Sequence, residues 1–319
     1  MSTLLNASRI HIEISSKCTV KCPRCPRTEL RPDSLNKEIT LGEFKSAFDP
    51  TTLSKINDIV FCGDIGDPIY ARDFLNICRY IKDNSNTIIR ITTNGSYKST
   101  EWWTELGQLL TANDRVTFSV DGVDQQTNEQ YRVNSDYDSI INGMRSLRES
   151  SSCVMIWSAI YFNFNENLMD QIQQLAKSLG FNRFKAVRSS KFDQRYLING
   201  IDPLKPKLEN VANGSPYEEE IVEFIPYTNL SAPIRNYHPW ARCLNWSKEL
   251  FINVDGLVFP CPWFNNGYQS NDFVQKYKDK INIKTRTLTD ILADPLWEEL
   301  VKRFDDNPLN ICQLKCKNA

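Results

Sequence analysis

The stretch RIHIEISSKCTVKCPRC, residues 9–25, decides how the rest of the chain is read. Its first part, RIHIEIS (9–15), is apolar and β-branched and reads as a buried strand. Directly after it come Cys18, Cys22 and Cys25, spaced Cys-x-x-x-Cys-x-x-Cys. Thiolates are soft ligands suited to iron–sulfur clusters and to zinc. Three of them on one tight loop can hold three irons of a cubane and leave the fourth open to an outside ligand. A structural zinc site normally closes with four protein ligands. No fourth Cys or His lies nearby, because His11 is inside the strand. A zinc knuckle completed by a remote ligand is the competing reading.

Outward from this segment, the same strand pattern recurs as INDIVFC (56–62), TIIRITT (87–93), RVTFSV (115–120), CVMIWSAIYF (153–162) and RFKAVR (183–188). Helical patterns lie between them. Thr40 and Glu43 form a capping box ahead of LGEFKSAF. Residues 71–83, 139–150 and 166–180 carry apolar side chains at helical spacing, the last closing on Gly180. Strand–helix units in series imply parallel strands with right-handed crossovers. An open doubly wound sheet and a barrel both satisfy this, and both place ligands at the C-terminal ends of strands.

The chain has 319 residues, enough for one sizeable core and a smaller unit. Lys plus Arg is 38 against 39 for Asp plus Glu, so no global basic field points to nucleic acid or an anionic membrane. Neither a membrane-length apolar run nor a signal layout is present, so the expected compartment is the cytoplasm. Ten cysteines in a reducing compartment argue for metal or cluster ligation rather than disulfides. Cys62, Cys78 and Cys153 lie on apolar stretches and read as small buried residues.

With its cysteine motif after strand one, CTVKCPRC resembles the radical S-adenosylmethionine superfamily. The resemblance implies a partial (β/α)6 barrel and a [4Fe–4S] cluster on Cys18, Cys22 and Cys25, whose open iron binds S-adenosylmethionine. Its reductive cleavage would give a 5′-deoxyadenosyl radical that abstracts hydrogen. Further turns carry the resemblance. Cys62-Gly63-Asp64-Ile65-Gly66-Asp67-Pro68 is similar to the family's Gly-Gly-Glu-Pro element for the methionine amino group, with Gly66, Asp67 and Pro68 matching the later positions and Asp in place of Glu. Thr92-Thr93-Asn94-Gly95 resembles the strand end that lines the cofactor site. Ser119 and Asp121 match ribose-binding positions; Ser119 is favoured, since Asp121 can instead begin the turn. Asn163, Asn165 and Arg188 are rim candidates, with Arg188 taken as a cofactor contact.

From about 190 to 240 periodicity is lost among six prolines, and the stretch reads as an irregular insert, suited to covering an active-site mouth. ELFINV-Asp255-Gly256-LVFP is a hairpin signal, and 288–304 a helix broken or restarted at Pro295. Cys243, Cys261, Cys312 and Cys316 can form a closed four-thiolate set, for which zinc and a [4Fe–4S] cluster are both chemically allowed. Cys243-x12-Gly256-x4-Cys261 resembles the opening of the SPASM/twitch extension of radical enzymes. Only four cysteines lie in residues 241–319, which matches the shorter, one-cluster twitch form. The expected organisation is an α/β partial barrel over 1–190, an insert over 191–240 and a small α+β cluster domain over 241–319.

The resemblance implies a radical oxidoreductase whose auxiliary cluster accepts an electron, giving oxidation or cross-linking. Relatives of this architecture act on small carbohydrates or on peptides, with a flavodoxin or ferredoxin as reductant. No appended peptide-recognition domain is visible, which leans away from leader-dependent peptide maturation. Modification of a nucleoside or nucleic-acid base by the same chemistry, and a non-catalytic zinc or iron–sulfur protein, are the alternatives. No general base stands out; Asp193, Arg195, Tyr196, Tyr237 and His238 are candidates by position alone.

Overall fold

A computed structural model describes residues 7–30, 36–189, 192, 194–208, 219–225, 249–265 and 271–306. Among these described residues the strands are β1 Arg9–Ile12, β2 Asp58–Phe61, β3 Ile88–Thr93, β4 Arg115–Ser119, β5 Val154–Ile160, β6 Arg183–Val187, β7 Glu219–Glu223, β8 Glu249–Ile252 and β9 Val258–Phe259. They fall into two compact units that do not follow chain order. One holds residues 1–17, 36–89 and 229–319; the other holds 18–35 and 90–228.

In the first unit β1 pairs in parallel with β2 on one side and β8 on the other, and β9 returns antiparallel to β8. The expected hairpin is there, with Gly256 at φ +85 in its turn, a conformation that L residues with a side chain resist. Its pairing onto β1 was not foreseen, because nothing local in ELFI marks a parallel partner 240 residues away. β1 is also shorter than expected. Beyond Ile12 the backbone turns to other partners: Glu13 N donates to Ile252 O, Ile39 N to Ile14 O and Ser16 N to Lys37 O. The Thr40–Glu43 capping box opens the helix Leu41–Ala47. The helix Phe74–Asn84 buries Phe74, Ile77, Cys78 and Ile81, one stripe at i, i+3, i+4 and i+7. Pro295 separates the helices Leu288–Leu292 and Leu296–Asp306.

In the second unit residues 90–93 of β3, then β4, β5 and β6, run parallel in that order, and β7 closes the edge antiparallel to β6. Strands β4 and β6 alternate between a buried apolar row (Val116, Phe118; Phe184, Ala186) and a half-buried polar row (Arg115, Thr117, Ser119; Arg183, Lys185). Trp103, Phe118, Phe181 and Trp157 form a buried aromatic file with ring centroids 5.1–5.9 Å apart. Several elements escape the sequence reading, among them one long helix and one strand. The helix Thr100–Leu109, capped by Ser99, is obscured by its paired tryptophans and by Gly107. Strand β7 lies inside the stretch read as irregular; it is held by charge, Arg183 pairing with Glu223, Lys185 with Glu219 and Arg188 with Glu220. Among the described residues, no helix is long and apolar enough to cross a membrane.

Candidate functional site

The cysteine loop belongs to the second unit. Cys25 N donates to Cys22 O at 3.1 Å, tightening the turn, and Cys25 O accepts from Thr28 and Glu29, starting the helix Pro26–Leu30. Lys21 N donates to Val133 O, and Asn134 Nδ2 to Thr19 O, which fastens the loop to the segment after β4. Cys22 is buried and clusters with Val20, Tyr131 and Phe162; Cys18 and Cys25 are half-buried against the same apolar group. Burial pushes the Cys22 thiol up, and the Arg132 guanidinium pulls it the other way.

Two of the three sulfurs face a nitrogen donor. Asn94 Nδ2 points at Cys18 Sγ from 3.6 Å, and Arg132 Nη1 at Cys22 Sγ from 3.8 Å. Asn94 is set by the turn after β3, where Thr93 Oγ1 accepts from Gly95 N and Asn94 Oδ1 from Ser96 N. Arg132 is set by Asp121, which takes Arg132 Nε on Oδ2 at 2.6 Å and Ile160 N on Oδ1 at 2.8 Å. Both oxygens of Asp121 are thus engaged by protein. Among the described residues no three His, Cys, Asp or Glu side chains converge as a single-ion site. Three soft donors on one loop, with N–H groups directed at two of them, suit the corners of an iron–sulfur cube better than one tetrahedral ion.

Around this core the remaining candidates take varied places. Ser119 is half-buried at the end of β4, in register with Ser158 of β5. Arg188 Nη2 donates to Glu220 Oε1 at 3.2 Å. Asn165 is not on a rim: it is fully buried and bonds the carbonyls of Asp121 and Ile160. Asn163 donates its backbone N–H to Leu204 O. The loop's own Arg24 is buried, ion-paired with Asp202, and stacked 4.4 Å from the Tyr196 ring and 5.0 Å from Phe192. Tyr196 Oη bonds Glu29 and Arg195 lies 5.2 Å over the Tyr196 ring, so neither stands apart as a base. Asp193, Tyr237 and His238 lie outside the described residues.

In the first unit the Cys62–Pro68 turn is built on close backbone approach. A Cβ on Gly66 would fall 1.8 Å from Ser15 O, and one on Gly63 2.2 Å from Gly66 O. Asp67 N donates to Lys17 O, and the Asp67 carboxylate caps the short helix Pro68–Tyr70 through Ile69 N. Three buried residues that the sequence did not single out brace this turn. Glu13 Oε1 accepts from Ile65 N at 2.7 Å, and Asp64 accepts from Asn265, which in turn accepts from Asn253. Glu13 and Asn265 reach this turn across long stretches of chain, so no spacing marks them, whereas Asn253 also takes Asp255 N and Leu257 N within its own hairpin turn. Cys62 is half-buried rather than buried, whereas Cys78 and Cys153 are fully buried as expected. Of the four C-terminal cysteines, Cys261 is half-buried beside the turn Pro262–Asn265, and Cys243, Cys312 and Cys316 lie outside the described residues.

Comparison with known proteins agrees with this chemistry. Residues 12–179 match the radical SAM superfamily model, and residues 243–317 match SPASM, an iron–sulfur cluster-binding domain. No curated protein matches the chain by sequence. Among solved structures, SuiB of Streptococcus suis bound to S-adenosylmethionine is similar at TM-score 0.61 and 15% identity, covering 92% of this chain and 67% of that one. SuiB bound to precursor peptide SuiA gives 0.60 and 15%, covering 91% and 66%. Native anSMEcpe with AdoMet and the Cp18Cys peptide gives 0.53 and 14%, covering 91% and 81%. The chain thus spans about two thirds of the SuiB chain, and at these identities the likeness is one of fold, the α/β partial barrel with its C-terminal extension. The two matched domains indicate one catalytic and one auxiliary iron–sulfur cluster. Matched over more than half its length and carrying the three-cysteine loop inside that match, the chain belongs to the radical SAM superfamily, with a SPASM domain at its C-terminal end.

Proposed function

We propose that this chain is a radical enzyme that removes a hydrogen atom from a peptide or small-molecule substrate and passes the resulting electron to its auxiliary cluster, giving oxidation or cross-linking. The observation that carries the reading is the loop Cys18–Cys22–Cys25, gathered in an apolar pocket with Asn94 and Arg132 on two of its sulfurs. When bound, the catalytic cluster supplies the electron that splits S-adenosylmethionine into methionine and a 5′-deoxyadenosyl radical. The chain's own residues do the rest. Cys18, Cys22 and Cys25 would hold the cluster through their thiolates and leave one iron free for the cofactor. Val20, Tyr131 and Phe162 keep water from the loop. Thr93, Asn94, Ser119 and Arg188 are the second unit's candidates for cofactor contact, and the Gly63–Pro68 turn is the first unit's candidate for the methionine amino group. Asp121, matched to a ribose-binding position, supports the site by orienting Arg132, since it is fully buried with Arg132 Nε on Oδ2 and Ile160 N on Oδ1.

Cys243, Cys261, Cys312 and Cys316 are the proposed ligands of the auxiliary cluster, and closed four-thiolate ligation favours electron transfer over substrate binding. The reductant is a flavodoxin- or ferredoxin-class protein in the cytoplasm. A peptide substrate is favoured by the peptide complexes of the similar folds SuiB and anSMEcpe. Anaerobic reconstitution should give about eight irons per chain, and reduction with S-adenosylmethionine should release 5′-deoxyadenosine. Cys22→Ala should abolish that release and leave about four irons. Tightly held zinc with no 5′-deoxyadenosine would defeat the reading.

A further inference from the structure

The two donors that face the cluster loop differ in charge. Asn94 offers Cys18 a neutral amide, whereas Arg132 offers Cys22 a full positive charge at 3.8 Å. That charge is fixed in place. Arg132 Nε is bonded to Asp121, its backbone N–H donates to Asn128 O at 2.9 Å, and its guanidinium lies 5.3 Å from the Tyr131 ring. Asp121 is itself immobile: it is fully buried, its second oxygen takes Ile160 N, and Asn165 binds its carbonyl. Carboxylate, guanidinium and thiol therefore form one file from β4 to the loop. The surroundings of Cys22 are apolar, which leaves charges in this file weakly screened.

Reduction adds one negative charge to a cluster, and hydrogen bonds and cations at its ligand sulfurs stabilise that form. We propose that Arg132, positioned by Asp121, sets the reduction potential of the catalytic cluster through Cys22, holding it above the value that thiolates in this apolar pocket would otherwise impose. One electron enters from the external reductant, no proton moves, and Arg132 keeps its charge in both states. The inference rests on Cys18, Cys22 and Cys25 being the cluster ligands. Arg132 touches neither substrate nor the reacting atoms in this role and is a positioning residue. Its signature is a pair of shifts of opposite sign. Removing the guanidinium removes the stabilising cation, whereas removing the Asp121 charge strips that cation of its counter-ion.

The test is an anaerobic redox titration of the full chain followed by electron paramagnetic resonance, the catalytic signal being the one lost in Cys22→Ala. At a fixed ambient potential Arg132→Met should lower the reduced-to-oxidised ratio of that signal about tenfold, equal to about 59 mV for a one-electron couple. Arg132→Lys should recover most of the loss, and Asp121→Asn should raise the ratio. Shifts in the same direction for Arg132→Met and Asp121→Asn, or no shift in either, would overturn the proposal. Should Arg132→Met fail to load its cluster, the sign of the Asp121→Asn shift alone decides. Absence of any signal lost in Cys22→Ala would instead overturn the cluster reading on which the proposal stands.

Discussion

Arg24→Met should be among the most damaging single changes outside the ligands themselves. Arg24 lies between Cys22 and Cys25, yet its side chain is only 3% exposed, and that of its partner Asp202 is 2% exposed. Asp202 Oδ1 accepts from Leu204 N as well as from Arg24, and Oδ2 has no hydrogen-bond partner among the described residues. The carboxylate therefore depends on Arg24 for its charge balance. Removing one partner of a buried pair leaves an uncompensated buried charge and costs about 3–5 kcal/mol. Replacing both partners by apolar residues of similar size is often neutral, so Arg24→Met with Asp202→Leu should recover all but about 1 kcal/mol. With single variants of about 3–5 kcal/mol each and a double variant of about 1 kcal/mol, the coupling energy read from a double-mutant cycle in anaerobic urea unfolding of the apo chain is about 5–9 kcal/mol in magnitude. Reconstituted Arg24→Met should also lose iron to a chelator faster than the double variant, because the segment from Phe192 to Leu204 holds the cluster loop through this contact. Single variants costing under about 1 kcal/mol, or a double variant no better than their sum, would refute the argument.

Gly66→Ala should unfold or severely destabilise the first unit, since its Cβ would enter the Ser15 carbonyl; Gly42→Ala, whose Cβ meets only Thr40 Oγ1 at 3.9 Å, is the control, and thermal unfolding reads both. His11 should remain an imidazolium at neutral pH. Burial alone would lower its pKa, but its contacts with Cys62 and with Glu249, 3.6 Å from Nδ1, outweigh that and push it up to about 10. Its folded value lies above the unfolded 6.5, so its stabilisation is complete below pH 6.5 and is lost as pH rises through about 10. Unfolding free energy measured from pH 6 to 10 should fall, and His11→Gln should flatten the slope; an equal slope in both would contradict the assignment. Ser119, whose hydroxyl makes no hydrogen bond among the described residues, should give a Ser119→Ala variant of unchanged stability with a raised KM for S-adenosylmethionine, and an unchanged KM would remove it from the cofactor contacts.

What was legible in the sequence is what neighbouring residues determine. The six strand segments of the first 190 residues are strands, trimmed by up to three residues at an end. The Thr40–Glu43 box, the Gly256 turn and the break at Pro295 are each fixed by residues within a few positions of one another. The losses are contacts across long stretches of chain. β8 finds β1, β7 finds β6, and Arg24 finds Asp202 across 178 residues, and no periodicity encodes any of these. The cysteine spacing announces a cluster loop, but the residues that face its sulfurs had to be supplied by the fold. Asn94 was flagged through its turn, whereas Arg132 carried no local signal, its importance coming from where Asp121 aims it.

The stretch with least sequence pattern turns out to be tied to the part with most. Phe192, Tyr196 and Asp202 come from the insert, and all three act on Arg24 within the cysteine motif. A segment of that kind needs no period of its own, because its order is imposed by a buried charge already fixed in the loop. The same logic separates the polar residues near the cluster into two groups. Asp121, Asn165 and Asp202 are buried and spend their hydrogen bonds on protein, so their substitution should first disturb the loop. Ser119 is half-buried with its hydroxyl unengaged among the described residues, so a role for it has to be sought in what binds there. Burial and satisfied bonding, more than residue type, therefore decide which matches to a family motif can be transferred to the cofactor and which hold the site that receives it.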